Sequence, residues 1–120
     1  MCCGMAESRS RLTVESSAFF QEKCLKTSVD LKTLKDLLAI TDISHDAGKF
    51  VCEGLYYQIL KYTMKDEIDY IPCLFIHVPL LDKSNLELIT KEFNLILEFL
   101  AQLPQSRTSI WMLNIKCAVF

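Results

Sequence analysis

The chain has 120 residues, 51% of them hydrophobic and 23% charged, which leaves room for one small domain and is too apolar for a disordered protein. The balance of 13 Lys and Arg against 15 Asp and Glu gives a net charge of −2 and argues against a nucleic-acid or membrane-surface partner, either of which needs a basic face. Three Gly rule out a glycine-rich nucleotide loop, and three Gly with three Pro predict long regular elements joined by few tight turns.

Residues 1–21 read as a poorly ordered N-terminal tail, because Ser8-Arg9-Ser10-Arg11 and Val14-Glu15-Ser16-Ser17 show no sustained period. Met1 to Ser8 contain no apolar run of leader length, so a cytosolic (cytoplasmic) chain with free thiols is expected, and Cys2 and Cys3 have no supporting motif for a lipid anchor. Val29, Leu31, Leu34, Leu37 and Leu38 recur at helical spacing and predict a helix over 29–38. Leu38 to Ile43 then reads as a short strand, with Ser44 and Asp46 placed to cap a second helix. Ala47, Phe50, Val51, Leu55, Tyr56, Ile59, Leu60 and Tyr62 form one wide apolar face, so that helix runs to about residue 62. A polar hinge over 65–69 leads to the run from Pro72 to Pro79, short and apolar enough for a buried strand. Ser84 is expected to cap a last helix carrying Leu86, Ile89, Phe93, Ile96, Leu97 and Leu100 on one face and ending before Pro104. This order predicts an α/β fold, a helix-flanked and mainly parallel sheet with a right-handed crossover. Residues 105–120 form a divergent tail with two open readings, an extra strand or sequence that replaces a normal C-terminus.

The six cysteines (Cys2, Cys3, Cys24, Cys52, Cys73 and Cys117) are irregularly spaced, contain no Cys-x-x-Cys pair and meet only two His, which excludes zinc and thioredoxin-type chemistry. Cys52 falls in the first turns of a helix, where the helix dipole and unpaired amides favour thiolate. His77 falls at the carboxyl end of the next strand. In a parallel unit these two positions share the edge where open α/β sheets bind ligands, and a thiolate with an imidazole base is the minimum set for acyl transfer. Against this stand the plainer readings of Cys52 as a core thiol and His77 as a satisfied strand-end histidine. Cys73 reads as core, Cys24 has no neighbouring base, and His45 beside Asp46 reads as a solvated loop residue.

At these residues the sequence resembles the pyroglutamyl-peptidase I family. Ser44-His45-Asp46-Ala47-Gly48-Lys49-Phe50-Val51-Cys52 is similar to the family's nucleophile segment, and Phe75-Ile76-His77-Val78-Pro79 to its histidine segment, in the right order and at the expected distance. Weaker similarity runs from about Glu22 to about Leu103, so 22–104 is expected to be part of a pyroglutamyl-peptidase-like three-layer α/β/α domain. The resemblance implies a cytosolic cysteine peptidase that removes N-terminal pyroglutamate from peptides, with Cys52 as nucleophile, His77 as general base and acid, and Phe50 and Val51 near the lactam ring. It implies the Cys52 amide as an oxyanion donor, and neither metal nor organic cofactor. The family's proteins are longer, and the part that supplies the acid orienting the histidine is not matched; Glu7, Glu15 and Glu22 lie in the wrong context for that acid. The expectation is therefore a shortened form with little activity alone, acting on pyroglutamyl peptides without nucleic-acid or membrane partners. The alternative is a non-catalytic fragment or pseudoenzyme working through protein–protein interaction, including self-association through an uncovered sheet edge.

Overall fold

A computed structural model describes residues 1–48, 51–64 and 71–104. Among these residues the chain forms β1 (Cys2–Met5), β2 (Thr13–Glu15), β3 (Ser17–Phe20), β4 (Lys23–Lys26), α1 (Leu31–Asp36), β5 (Asp42–Ser44), α2 (Val51–Thr63), β6 (Phe75–Val78) and α3 (Leu86–Gln102). The expected succession of helix, strand, helix, strand, helix is present from α1 to α3. The expectation of a loose tail over 1–21 is corrected: that segment contains β1, β2 and β3, and Leu12, Val14 and Ala18 are fully buried. The 105–120 tail lies outside the described residues.

The fold is mixed α/β, with a mainly parallel open sheet flanked by helices. Its strand order is β1-β6-β2-β5, and β3 and β4 form a separate antiparallel hairpin. β1 pairs parallel with β6 and β2 parallel with β5, whereas β2 pairs antiparallel with β6. The simple parallel crossover from β5 to β6 is therefore not formed. β2 is inserted between them and reverses the direction, because a three-residue N-terminal strand supplies ladder partners on both sides.

Alternation along the strands divides the interior in two. Cys3, Leu12, Val14, Leu74 and Ile76 pack with Leu34 of α1 and with Ile89 and Ile96 of α3. Cys2, Cys73 and Phe75 face the other way and pack with Ala18 and with Tyr56, Tyr57 and Leu60 of α2. α1 is started by Asp30, whose carboxylate accepts from the Lys32 and Thr33 amides. At the start of α3 the cap residue is Asn85, not Ser84. Asp82 accepts from the Ser84 and Asn85 amides, and the Asn85 side chain accepts from the Asp82 amide. The strand expected over 38–43 is displaced to 42–44, because the amides of Ala39 and Ile40 donate to Glu92 of α3 and cannot join a ladder. No helix among the described residues is long and apolar enough to cross a membrane.

Candidate active site

The site is assembled on the α2 side of the sheet. Glu15 ends β2, pairs with Phe75 in the antiparallel register and therefore projects on the same face as Phe75 and His77. Its side chain is fully buried, and its Oε1 lies 2.7 Å from Nδ1 of His77, itself only 7% exposed. An ionised carboxylate only accepts, so in this contact Nδ1–H is the donor and Nε2 is the ring nitrogen left for chemistry. The ring of Phe75 packs against the imidazole, with centroids 5.1 Å apart and planes at 56°, and Tyr56 packs on Phe75 in turn at 5.6 Å. The Tyr56 hydroxyl donates to the backbone carbonyl of Glu15 at 2.9 Å, fixing the strand that carries the acid. Burial pushes the Tyr56 phenol well above its usual range, so it stays a donor.

Cys52 is the second residue of α2 and half-buried. Its sulfur packs over Gly4, the register partner of His77 on β1. A Cβ built on Gly4 would stand 3.2 Å from Cys52 Sγ and 3.2 Å from the Phe75 ring. The missing side chain at Gly4 is thus the space that the thiol occupies beside the histidine strand. Cys52 reaches this position by a different route from the shared carboxyl edge expected of a parallel unit. β5 and β6 run in opposite directions, and Gly48 between β5 and α2 has a φ of +90°, which a residue without a Cβ adopts freely. The expected thiolate bias is also corrected. Burial pushes the Cys52 thiol up, the nearby charge of Glu15 adds to that, and the cysteine's own backbone amide only partly offsets them.

Arg9, in the loop between β1 and β2, reaches the same group of residues. Its Nη2 lies 3.4 Å from Glu15 Oε1, 3.4 Å from Ser44 Oγ and 3.0 Å from the carbonyl oxygen of Asp46. The second carboxylate oxygen, Oε2 of Glu15, is buried with no hydrogen-bond partner among the described residues. An open, polar cleft of about 500 Å³ adjoins this loop, lined by Arg9, Arg11, Thr13, Asp42 and Ser44 among others, and it includes neither Cys52 nor His77.

The structure therefore sets Cys52 and His77 on one face of the sheet, and it corrects the reading of Glu15 as a tail residue in the wrong context for an acid: Glu15 ends a buried strand and bonds His77. The signal that marks it is Leu12-Thr13-Val14, whose β-branched Thr13 and Val14 favour a strand that ends at Glu15. Val51 stands 67% exposed at the start of α2, and Phe50 lies outside the described residues. Cys73 is core, as expected; Cys24 is exposed; His45 is exposed and its Nδ1 meets Ser16 Oγ at 2.6 Å. Cys117 lies outside the described residues. Among the described residues no cluster of His, Cys, Asp and Glu could hold a metal ion. No protein-family model matches the chain, and neither a curated protein nor a solved structure matches it.

Proposed function

We propose that this chain is a pyroglutamyl-peptidase I-like cysteine peptidase, acting on N-terminal pyroglutamyl peptides by thiol acyl transfer. The observation that carries the reading is the buried 2.7 Å bond from His77 to Glu15, on the face where the Cys52 sulfur sits. Nucleophile, base and orienting acid are then Cys52, His77 and Glu15, the acid coming from β2. A helix-covered sheet with apolar side chains on both faces is compatible with the three-layer α/β/α arrangement of that family.

In the proposed reaction His77 Nε2 takes the thiol proton as Sγ bonds to the pyroglutamyl carbonyl carbon, and the carbonyl electrons move to oxygen. The Cys52 amide, among the first-turn amides that α2 leaves without an intrahelical partner, donates to that oxyanion. Collapse expels the peptide amine, which takes the proton back from His77, and water activated by the same imidazole cleaves the thioester. Glu15 holds Nδ1–H and offsets the imidazolium charge at each transfer. Because burial and Glu15 both disfavour a resting thiolate, His77 removes the proton during attack and no preformed ion pair is required. Phe50 and Val51 are assigned to the lactam. With so few lactam contacts assigned, turnover by this chain alone is slow.

The test is hydrolysis of pyroglutamyl p-nitroanilide by the purified chain and its Cys52→Ala variant. Release that depends on Cys52 is expected; equal rates for the two proteins remove Cys52 from the mechanism. The non-catalytic alternative is favoured by one observation, that β1 lies at an edge of the described sheet. A stable monomer at micromolar concentration, by size exclusion with light scattering, counts against association through that edge.

A further inference from the structure

We infer that Arg9 is a positioning residue of this site, holding the Glu15 carboxyl group in place against His77 and tying the acid's strand to the chain that leads into α2. The inference rests on the acyl-transfer reading above. A buried carboxylate is stable as an anion only with a compensating charge or a full set of donors. Glu15 lacks a full set of donors from its neighbours in the sheet: His77 supplies one contact, and Oε2 has no partner among the described residues. From α2 the facing groups are Cys52 and the Tyr56 hydroxyl, neither a cation, and from β5 it is Ser44. Arg9 is the guanidinium within ion-pair reach at 3.4 Å, whereas Arg11 is engaged by Asp42 at 3.8 Å on the exposed side.

At 3.4 Å the link to Glu15 is chiefly charge and not a directed hydrogen bond; the directed bond is the 3.0 Å one to the Asp46 carbonyl. That difference defines the role. The backbone anchor fixes where the guanidinium sits, and the charge acts on the carboxylate. Because Asp46 and Ser44 precede the helix that carries Cys52, one side chain sets the acid and the approach to the nucleophile together. Arg9 is one-third exposed, so its contribution to folding is that of a screened surface pair and small. Its contribution to geometry is not.

Arg9→Met and Arg9→Lys in the full chain separate these roles, read by hydrolysis of pyroglutamyl p-nitroanilide, thermal unfolding, and the low-field proton resonance of His77 Nδ1. Arg9→Met is expected to lower kcat roughly tenfold to a hundredfold with little change in KM, a loss of the size that misplacement of a catalytic group produces. The same variant loses or broadens the Nδ1 resonance, while Arg9→Lys recovers much of both. Unchanged kcat and resonance in Arg9→Met overturn the inference, and so does an equal loss in both variants that tracks a fall in melting temperature. A wild-type chain without hydrolysis whose Nδ1 resonance still depends on Arg9 overturns the peptidase reading and upholds the positioning role. Hydrolysis that is indifferent to Arg9 does the reverse.

Discussion

Glu15 and Glu92 are both glutamates buried against the sheet, and they are treated in opposite ways. Glu92 on α3 accepts from the amides of Ala39 and Ile40 with Oε1, at 2.5 and 3.0 Å, and from the Thr41 hydroxyl with Oε2 at 2.5 Å. Burial raises its pKa, but these donors together outweigh burial and hold the carboxyl below its ordinary value. Glu15 has one imidazole, one distant guanidinium and a bare oxygen. A carboxylate saturated with donors holds chain segments in place. One left partly bare stays responsive to charge developing on its neighbour, and an unsatisfied buried acceptor is costly enough to need a reason.

The sharpest way to break this comparison is to neutralise each acid in turn. Glu15→Gln is expected to lower kcat by about three to four orders of magnitude, the loss seen when the orienting acid of a triad becomes an amide. Its stability in urea should stay within about 1 kcal/mol of wild type, since no saturated donor set is lost. A Glu15→Gln protein of full activity would end the triad assignment. Glu92→Ala should do the opposite, leaving Cys52 chemistry intact while stability falls by about 3 kcal/mol, as three donors lose their acceptor. A loss below about 1 kcal/mol would show that water replaces the carboxylate.

The same contrast has a pH signature. The Glu92 pKa is depressed in the fold, so its stabilisation is complete above the unfolded glutamate pKa, about 4.3, and is lost as pH falls through the lower folded value. Urea titrations between about pH 6 and pH 3 should show a steeper loss for wild type than for Glu92→Gln; parallel curves would deny the linkage. For Cys52 the direction is reversed. Burial and the charge of Glu15 raise its pKa, so the midpoint of its alkylation by iodoacetamide lies above that of an ordinary cysteine. Site-resolved mass spectrometry keeps exposed Cys24 from masking the result. Glu15→Gln should lower that midpoint, and an unchanged midpoint would place the sulfur outside the carboxylate's field. The smallest effect is expected at Gly4. Gly4→Ala puts a methyl 3.2 Å from both Cys52 Sγ and the buried Phe75 ring, and the freer thiol moves first. About 1 kcal/mol of stability is lost with an altered Cys52 alkylation rate; an unaltered rate would mean that Phe75 yields instead.

Periodicity made α1, α2 and α3 legible, because each presents apolar residues to one side of the sheet, and β6 was legible as an apolar run between prolines, buried on both faces. Cys52 and His77 were legible for the same reason, as residues at fixed places on those elements. β1 and β2 were not. Cys2-Cys3-Gly4-Met5 has no alternation to read, and β2 is three residues long and buried throughout, ending in a charge that pattern reading assigns to solvent. Missing β2 also hid the reversal between β5 and β6, since two strands joined by a helix look parallel until a third is known to lie between them. Glu92 was hidden by its neighbours: on a helix face with Ile89 and Ile96 it interrupts an apolar stripe, which is the mark of a carboxylate buried for its hydrogen bonds.

The place of β2 also governs the order of events during synthesis. It emerges before either of its partners, and its amides and carbonyls find their ladder only when Asp42–Ser44 and then Phe75–Val78 have left the ribosome. Leu12 and Val14, fully buried in the finished sheet, gain their β6 neighbours only after residues 75–78 are made. The bond from Glu15 to His77 spans 62 positions and waits for β6 to be made. A nascent chain stalled before the histidine therefore lacks the central strand that joins β1 to β2, and the group of residues around Cys52 comes together only once that strand is made.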